Sequence, residues 1–218
     1  MELPKGKYYV SNIKDYCSTD DISINHIDNL VLENLYNGKQ WDYYRLSDTV
    51  RFKNHNNSNE QIHTKWPNSI IDLFMNDKNI KYNARNNKLK RICFIINNYF
   101  PIKISQPYIA IHLRVGDAID YMSKPLSFYD DLDVSKFSCN NAIIFCGLHN
   151  HRHKEQSLIY IKKVYKILES KKLNIILRCG NNPDDDFVLM VKSSHFIESG
   201  GGYSHTVSEV IQTLQYNN

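Results

Sequence analysis

Apolar residues follow two different rhythms along this chain. From about residue 105 onward, short and nearly unbroken apolar runs alternate with longer stretches in which apolar positions return every third or fourth residue. The first pattern suits a strand buried on both faces, and the second an amphipathic helix. Residues 108–114, 142–147, 174–179 and 195–199 read as four strands. Between and after them, 155–170, 187–193 and 203–216 read as helices, 118–136 as a loop or short helix, and 180–184 as a turn and helix start. Strands alternating with helices require a parallel sheet with right-handed crossovers. Residues 105–218 are therefore expected to form a Rossmann-like domain.

The first hundred residues are less regular. A strand is possible at 7–11, and 23–35 carries Ile24, Ile27, Leu30, Val31 and Leu35 at helical spacing behind a cap at Ser23. A strand over 41–52 and a polar loop over 53–60 precede a helix over 68–75 with Ile70, Ile71 and Phe74 inward. The clearest element is a helix over 85–99. Leu89, Ile92, Cys93, Ile96 and Phe100 lie on one side, Lys88, Lys90, Arg91 and Asn97 on the other, and Pro101 ends it. Residues 1–104 are read as a reduced amino-terminal α/β region.

Composition narrows the class of protein. With 218 residues, 42% hydrophobic and 23% charged, the chain can bury a full core without metal or disulfides. No run approaches the ~20 apolar residues of a membrane span, and the start of the sequence lacks a secretory apolar core, so a cytoplasmic protein with no membrane span is expected. Five cysteines form no C-x-x-C pair; Cys93, Cys146 and Cys179 sit inside apolar runs, as small core residues in a reducing compartment would. The net charge of +4 comes without a run of basic residues, which argues against a nucleic-acid partner and suits an anionic small ligand.

Candidate chemistry concentrates at strand ends, where open α/β sheets bind ligands. The first strand runs into His112, Arg114, Gly116 and Asp117. A guanidinium there can fork onto phosphate, a glycine permits a sharp turn, and an aspartate can orient a donor or act as a base. After the fourth strand comes Ser199-Gly200-Gly201-Gly202-Tyr203-Ser204, a loop that leads into a helix amino terminus able to receive phosphate. It is neither a dinucleotide fingerprint nor a Walker loop. Gly147 and Gly180 close the second and third strands, so His112, Gly147 and Gly180 are expected along one sheet edge. Asp184, Asp185 and Asp186 sit at a helix start. His149, His151 and His153 alternate in a loop, but no cysteine or carboxylate completes a zinc set, and a solvated basic loop beside the ligand is the preferred reading, with Arg152 a possible nucleotide contact. Tyr121, Tyr129 and Tyr203 are available for stacking on a sugar or base.

His112-Leu-Arg114-Val-Gly116-Asp117 resembles the H-x-R-R-G-D motif of the fucosyltransferases. The stretch from Asp186 through Met190 to Ser199, followed by Tyr203-Ser204, is similar to a later block of the α-1,2 group. The resemblance covers residues 108 onward. It implies a GT-B-like α/β fold, with 1–104 on the acceptor side and 105–218 binding the nucleotide sugar. It also implies a metal-independent, inverting transfer of fucose from GDP-fucose, with no further cofactor, to a glycan or protein hydroxyl. Carried over by position, Arg114 grips the pyrophosphate, His112 and Asp186 approach the guanine, and Ser204 donates to the β-phosphate, with Gly116, Gly147, Gly201, Gly202 and Tyr203 completing the donor site.

The chain departs from that pattern at Val115, where a second arginine is usual, and it has no amino-terminal Gly-Gly-x-Gly-Asn-Gln segment. Asp117, Asp120 and Glu198 are the candidates for a catalytic base, and Arg114, Asp117 and Glu198 form the expected catalytic set. The alternatives are a non-catalytic nucleotide- or glycan-binding module and another phosphate-binding α/β enzyme. Acceptor, linkage and oligomeric state are open at this level.

Overall fold

The computed structural model describes residues 23–24, 27–35, 89–90, 92–93, 96–97, 106–148, 152–181 and 183–216. The elements expected at 7–11, 41–52 and 68–75, together with Cys17, His149 and His151, lie outside the described residues. Five strands form one sheet: β1 (Ser23–Ile24), β2 (Ile109–His112), β3 (Asn141–Cys146), β4 (Asn174–Cys179) and β5 (His195–Ile197), in the order β1-β4-β3-β2-β5. The four strands β2 to β5 are mutually parallel, as their apolar runs required, and β1 pairs antiparallel with β4.

The helices are α1 (Leu32–Leu35), α2 (Ile119–Met122), α3 (Leu126–Asp130), α4 (Lys154–Ser170), α5 (Pro183–Val191) and α6 (Gly202–Tyr216). Short 3-10 turns at Ile27–Asn29, Gly116–Ala118 and Val134–Lys136 complete the described elements. Strand side chains alternate between two cores. Ile109, Ile111, Ile144, Cys146, Leu177 and Cys179 pack with Ile161, Val164 and Leu168 of α4. Ala110, Ile143 and Phe145 pack with Phe187 to Val191 of α5 and with Val207 and Val210 of α6. Helices therefore cover both faces of the sheet, as parallel strands demand.

The expected helix over 23–35 is corrected: residues 23–24 are strand, and helix is confined to Ile27–Asn29 and Leu32–Leu35. The periodic apolar residues do face inward, since Ile27, Leu30 and Leu35 are buried, although Val31 is exposed. The open edge of β4 offers unpaired backbone groups, and pairing them with residues 23–24 replaces the first helical turn. The helix over 85–99 agrees wherever it is described: Leu89, Ile92, Cys93 and Ile96 are buried, while Lys90 and Asn97 are exposed. Residues on both sides of the expected boundary at 104 thus share one sheet and its two cores. Among the described residues no helix is long and apolar enough to cross a membrane.

Strand order determines where a crevice opens. The chain lays down β2, β3 and β4 in one direction and then returns to place β5 on the far side of β2. Loops leaving β2 and β5 diverge to opposite faces at this reversal, which is where open α/β sheets bind ligands.

Candidate functional site

A cleft of about 360 Å³ opens at the carboxyl edge of the sheet. The in-register pairs His112↔Phe145 and Cys146↔Cys179 bring the ends of β2, β3 and β4 to the same edge, so His112, Gly147 and Gly180 line the cleft together as expected. Of the sequence-predicted site residues, His112, Arg114, Asp117, Gly147, Asp186, Gly201, Gly202 and Tyr203 are on its walls. Gly116, Glu198 and Ser204 are not.

Arg114 is partly exposed, and its Nη2 lies 2.8 Å from Asp117 Oδ1. Its backbone carbonyl accepts a hydrogen bond from the Ser123 hydroxyl, which ties the strand exit to the loop after α2. Gly116 shapes the turn behind the cleft wall. It holds φ +76°, a left-handed conformation that favours glycine, and its buried N–H donates to Ser157 Oγ at 2.9 Å. Ser157 in turn donates to the His153 carbonyl at 2.7 Å, so α4 clamps the turn that presents Arg114 and Asp117.

The glycine loop after β5 is pinned from the other side. Gly200 N–H donates to the Met122 carbonyl at 3.0 Å, and a Cβ at Gly200 would fall 2.1 Å from that oxygen. This close approach leaves room only for glycine. Gly201, at φ +95°, would carry its Cβ 3.8 Å from Arg114 Cδ and Nε. The amino terminus of α6 and the Arg114 side chain therefore meet at one wall of the cleft. The positive end of a helix and a guanidinium together attract an anion more strongly than either does alone.

His112 Nδ1 is 2.6 Å from Ser199 Oγ, which holds the ring across the β2–β5 crevice, and the ring stands 5.4 Å from Tyr203. Tyr203 donates its hydroxyl proton to the Pro183 carbonyl, linking α6 to α5, and packs edge-on to Phe187 at 5.8 Å. Ser204 is buried with its Oγ accepting from Ser199 N–H at 3.0 Å, so it stabilises the loop from beneath. Glu198 is turned to the outer side of α6, where it accepts from the Ser208 hydroxyl and lies 3.3 Å from His205.

A buried ion pair behind the cleft wall was not anticipated. Arg178, near the end of β4, is completely buried, and its Nε and Nη2 both lie 2.9 Å from Asp186 Oδ1 on the first turns of α5. Asp186 is itself on the cleft wall. An arginine inside an apolar strand run demands a buried counter-charge, and the acidic cluster that follows was the available signal. Two other expectations resolve differently. Tyr129 is a core residue, buried beside Tyr160, and has no surface for stacking on a sugar. Asp120 accepts from Gln156 Nε2 at 2.6 Å on the exposed side of α2 and α4. Tyr121 is exposed, Arg152 is exposed and off the cleft wall, and His153 starts α4 with its Nδ1 3.1 Å from Gln156 Oε1. Among the described residues no three His, Cys, Asp or Glu side chains gather as a metal site would require.

Fold and site together define an α/β protein with a parallel sheet and a polar cleft at its topological switch point. Comparison of the chain with protein-family models, with curated proteins and with solved structures finds no match in any of the three.

Proposed function

We propose that the cleft binds a nucleoside diphosphate sugar and that the protein is a metal-independent, inverting glycosyltransferase of GT-B-like organisation. The observation that carries this reading is the meeting of Arg114 with Gly201 at the start of α6, in a cleft that Asp186 and His112 also line. A diphosphate fits the first group, because charge that develops on the leaving group is met by a fixed guanidinium and helix N–H donors. A base with N–H donors fits the second, because Asp186 is a carboxylate beside a buried guanidinium. The fucosyltransferase-like motif names GDP-fucose as the donor and a glycan or protein hydroxyl as the acceptor.

In that reaction the acceptor oxygen attacks the anomeric carbon from the face opposite the diphosphate, and the bond to the diphosphate breaks with its electron pair. Arg114 receives the departing charge. Of Asp117, Asp120 and Glu198, Asp117 is the carboxylate on the cleft wall and takes the acceptor proton. A second reading, a non-catalytic nucleotide-binding module, is favoured by the 2.8 Å contact to Arg114, which suits Asp117 to orienting the guanidinium.

Isothermal titration with GDP, UDP and ADP in metal-free buffer tests the donor. GDP should bind most tightly, and Arg114→Ala should weaken it by about 2–5 kcal/mol, the cost of losing a charge-assisted, partly desolvated hydrogen bond. Arg114→Lys should recover little because an ammonium cannot reproduce the fork. Parent-like GDP binding by a folded Arg114→Ala protein would overturn the proposal. GDP-fucose turnover separates the two readings, since the binding module holds the donor without transferring or hydrolysing it.

A further inference from the structure

Cys146 and Cys179 end two adjacent parallel strands and are direct register partners. Their sulfurs are 3.2 Å apart, and both side chains are buried in the core shared with α4. Parallel neighbours are spaced about 4.8 Å apart, inside the range of Cα separations that a disulfide spans, so bonding requires only a small inward movement of the two sulfurs. The partners are not equivalent. Cys146 lies on the cleft wall, whereas Cys179 is fully enclosed. Burial first, and then the hydrogen bond with Cys146, push the Cys179 thiol well above its ordinary range, so it waits as the protonated partner.

We propose that Cys146 and Cys179 are a redox-convertible dithiol in the floor of the cleft, and that a hydroperoxide entering the cleft turns it into an inter-strand disulfide. The Cys146 sulfur attacks one peroxide oxygen and the O–O bond breaks. With hydrogen peroxide, Cys146 becomes a sulfenic acid and the departing hydroxide leaves as water with the thiol proton. The Cys179 sulfur then attacks the Cys146 sulfur, the S–O bond breaks, and a second water leaves with the Cys179 proton. Two electrons pass from the thiols to the peroxide, and a dithiol reductant reverses the change by exchange.

The structural consequence falls on the cleft itself. Gly180 N–H donates to the Cys146 carbonyl at 3.0 Å, and Gly147 approaches Gly180 closely enough that an added Cβ would contact its backbone at 3.5 Å. Both glycines follow directly from the cysteines and line the cleft. A bond between the sulfurs staples these two segments at their roots and restrains their opening. This holds whether or not the cleft takes a nucleotide.

The test treats native full-length protein with hydrogen peroxide, blocks residual thiols, and maps the peptides by mass spectrometry without reduction. The expected product is a cross-linked peptide pair containing Cys146 and Cys179, lighter by two hydrogens, formed in folded protein and restored to free thiols by dithiothreitol. Cys146→Ser and Cys179→Ser should each abolish that species. Amide hydrogen exchange of the parent should slow at Gly147, Gly180 and Asn181 after oxidation. Recovery of both cysteines as thiols, pairing of either with Cys93 or Cys139 instead, or formation of the pair only in urea would each overturn the proposal. Mapping in the parent protein decides the outcome even where a serine variant fails to fold. GDP titration is a separate measurement, so failure of the nucleotide reading leaves this result distinct.

Discussion

Replacing Asp186 by alanine would strip the carboxylate from a guanidinium that has no exposure to water. Arg178 is 0% exposed, and two of its nitrogens converge on Asp186 Oδ1 at 2.9 Å. The location decides the magnitude. An exposed pair is worth about 0–1 kcal/mol, because solvent screens both charges. Removing one member of a buried pair costs roughly 3–5 kcal/mol, because the other charge is left in apolar surroundings. Arginine cannot escape by losing its proton, so the penalty is not relieved by neutralisation. Against a typical domain stability of about 5–15 kcal/mol, Asp186→Ala should move the urea midpoint sharply downward at unchanged slope. Asp186→Asn keeps the shape and one acceptor oxygen and should cost about 2 kcal/mol. The double change Arg178→Met with Asp186→Leu removes both charges and should return to within about 1 kcal/mol of the parent. Far-ultraviolet circular dichroism in urea measures all four proteins. An Asp186→Ala cost below about 1 kcal/mol, or a double variant as unstable as the single, would refute the argument that this pair is desolvated.

Three further outcomes follow from the clamps around the cleft. Asp117→Asn removes a negative charge beside Arg114, so GDP affinity should rise several-fold at low salt while any transfer rate falls; titration and turnover moving in the same direction would separate Asp117 from the role of base. Gly200→Ala places a methyl group against the Met122 carbonyl and should destabilise by about 1–3 kcal/mol, as overpacking does, with the loss read from thermal or urea unfolding. Ser157→Ala leaves the Gly116 N–H without its 2.9 Å partner and should cost about 1–3 kcal/mol, with faster hydrogen exchange at Gly116 as the local readout.

Element identity along the carboxyl half was legible from local pattern. The runs at 108–114 and 142–147 became β2 (Ile109–His112) and β3 (Asn141–Cys146), 174–179 became β4 with the same bounds, and 155–170 and 203–216 became Lys154–Ser170 and Gly202–Tyr216. Periodicity reports which residues share a face, and that information is carried by neighbours in the chain. It also located His112, Arg114 and Asp117 at a strand exit and the glycines at a helix start, because apolar runs end where polar residues begin.

What only the tertiary structure decided was who stands beside whom. A period of two assigns Arg178 to a face but does not say that Asp186 will lie over it, and that pairing exists because α5 packs on the same face as Phe145 and Arg178. Gly116 looked available to a ligand until α4 brought Ser157 to its N–H. Tyr129 looked like a platform until packing enclosed it, and Glu198 looked like a base until α6 turned it outward. Residues 23–24 carried a helical signal that lost to the unpaired edge of β4. In each case the deciding partner lies far away in sequence, and burial, edge pairing and counter-charge act through space. The four strands were written locally, whereas the cleft between β2 and β5 depends on the chain returning to the far side of its first parallel strand.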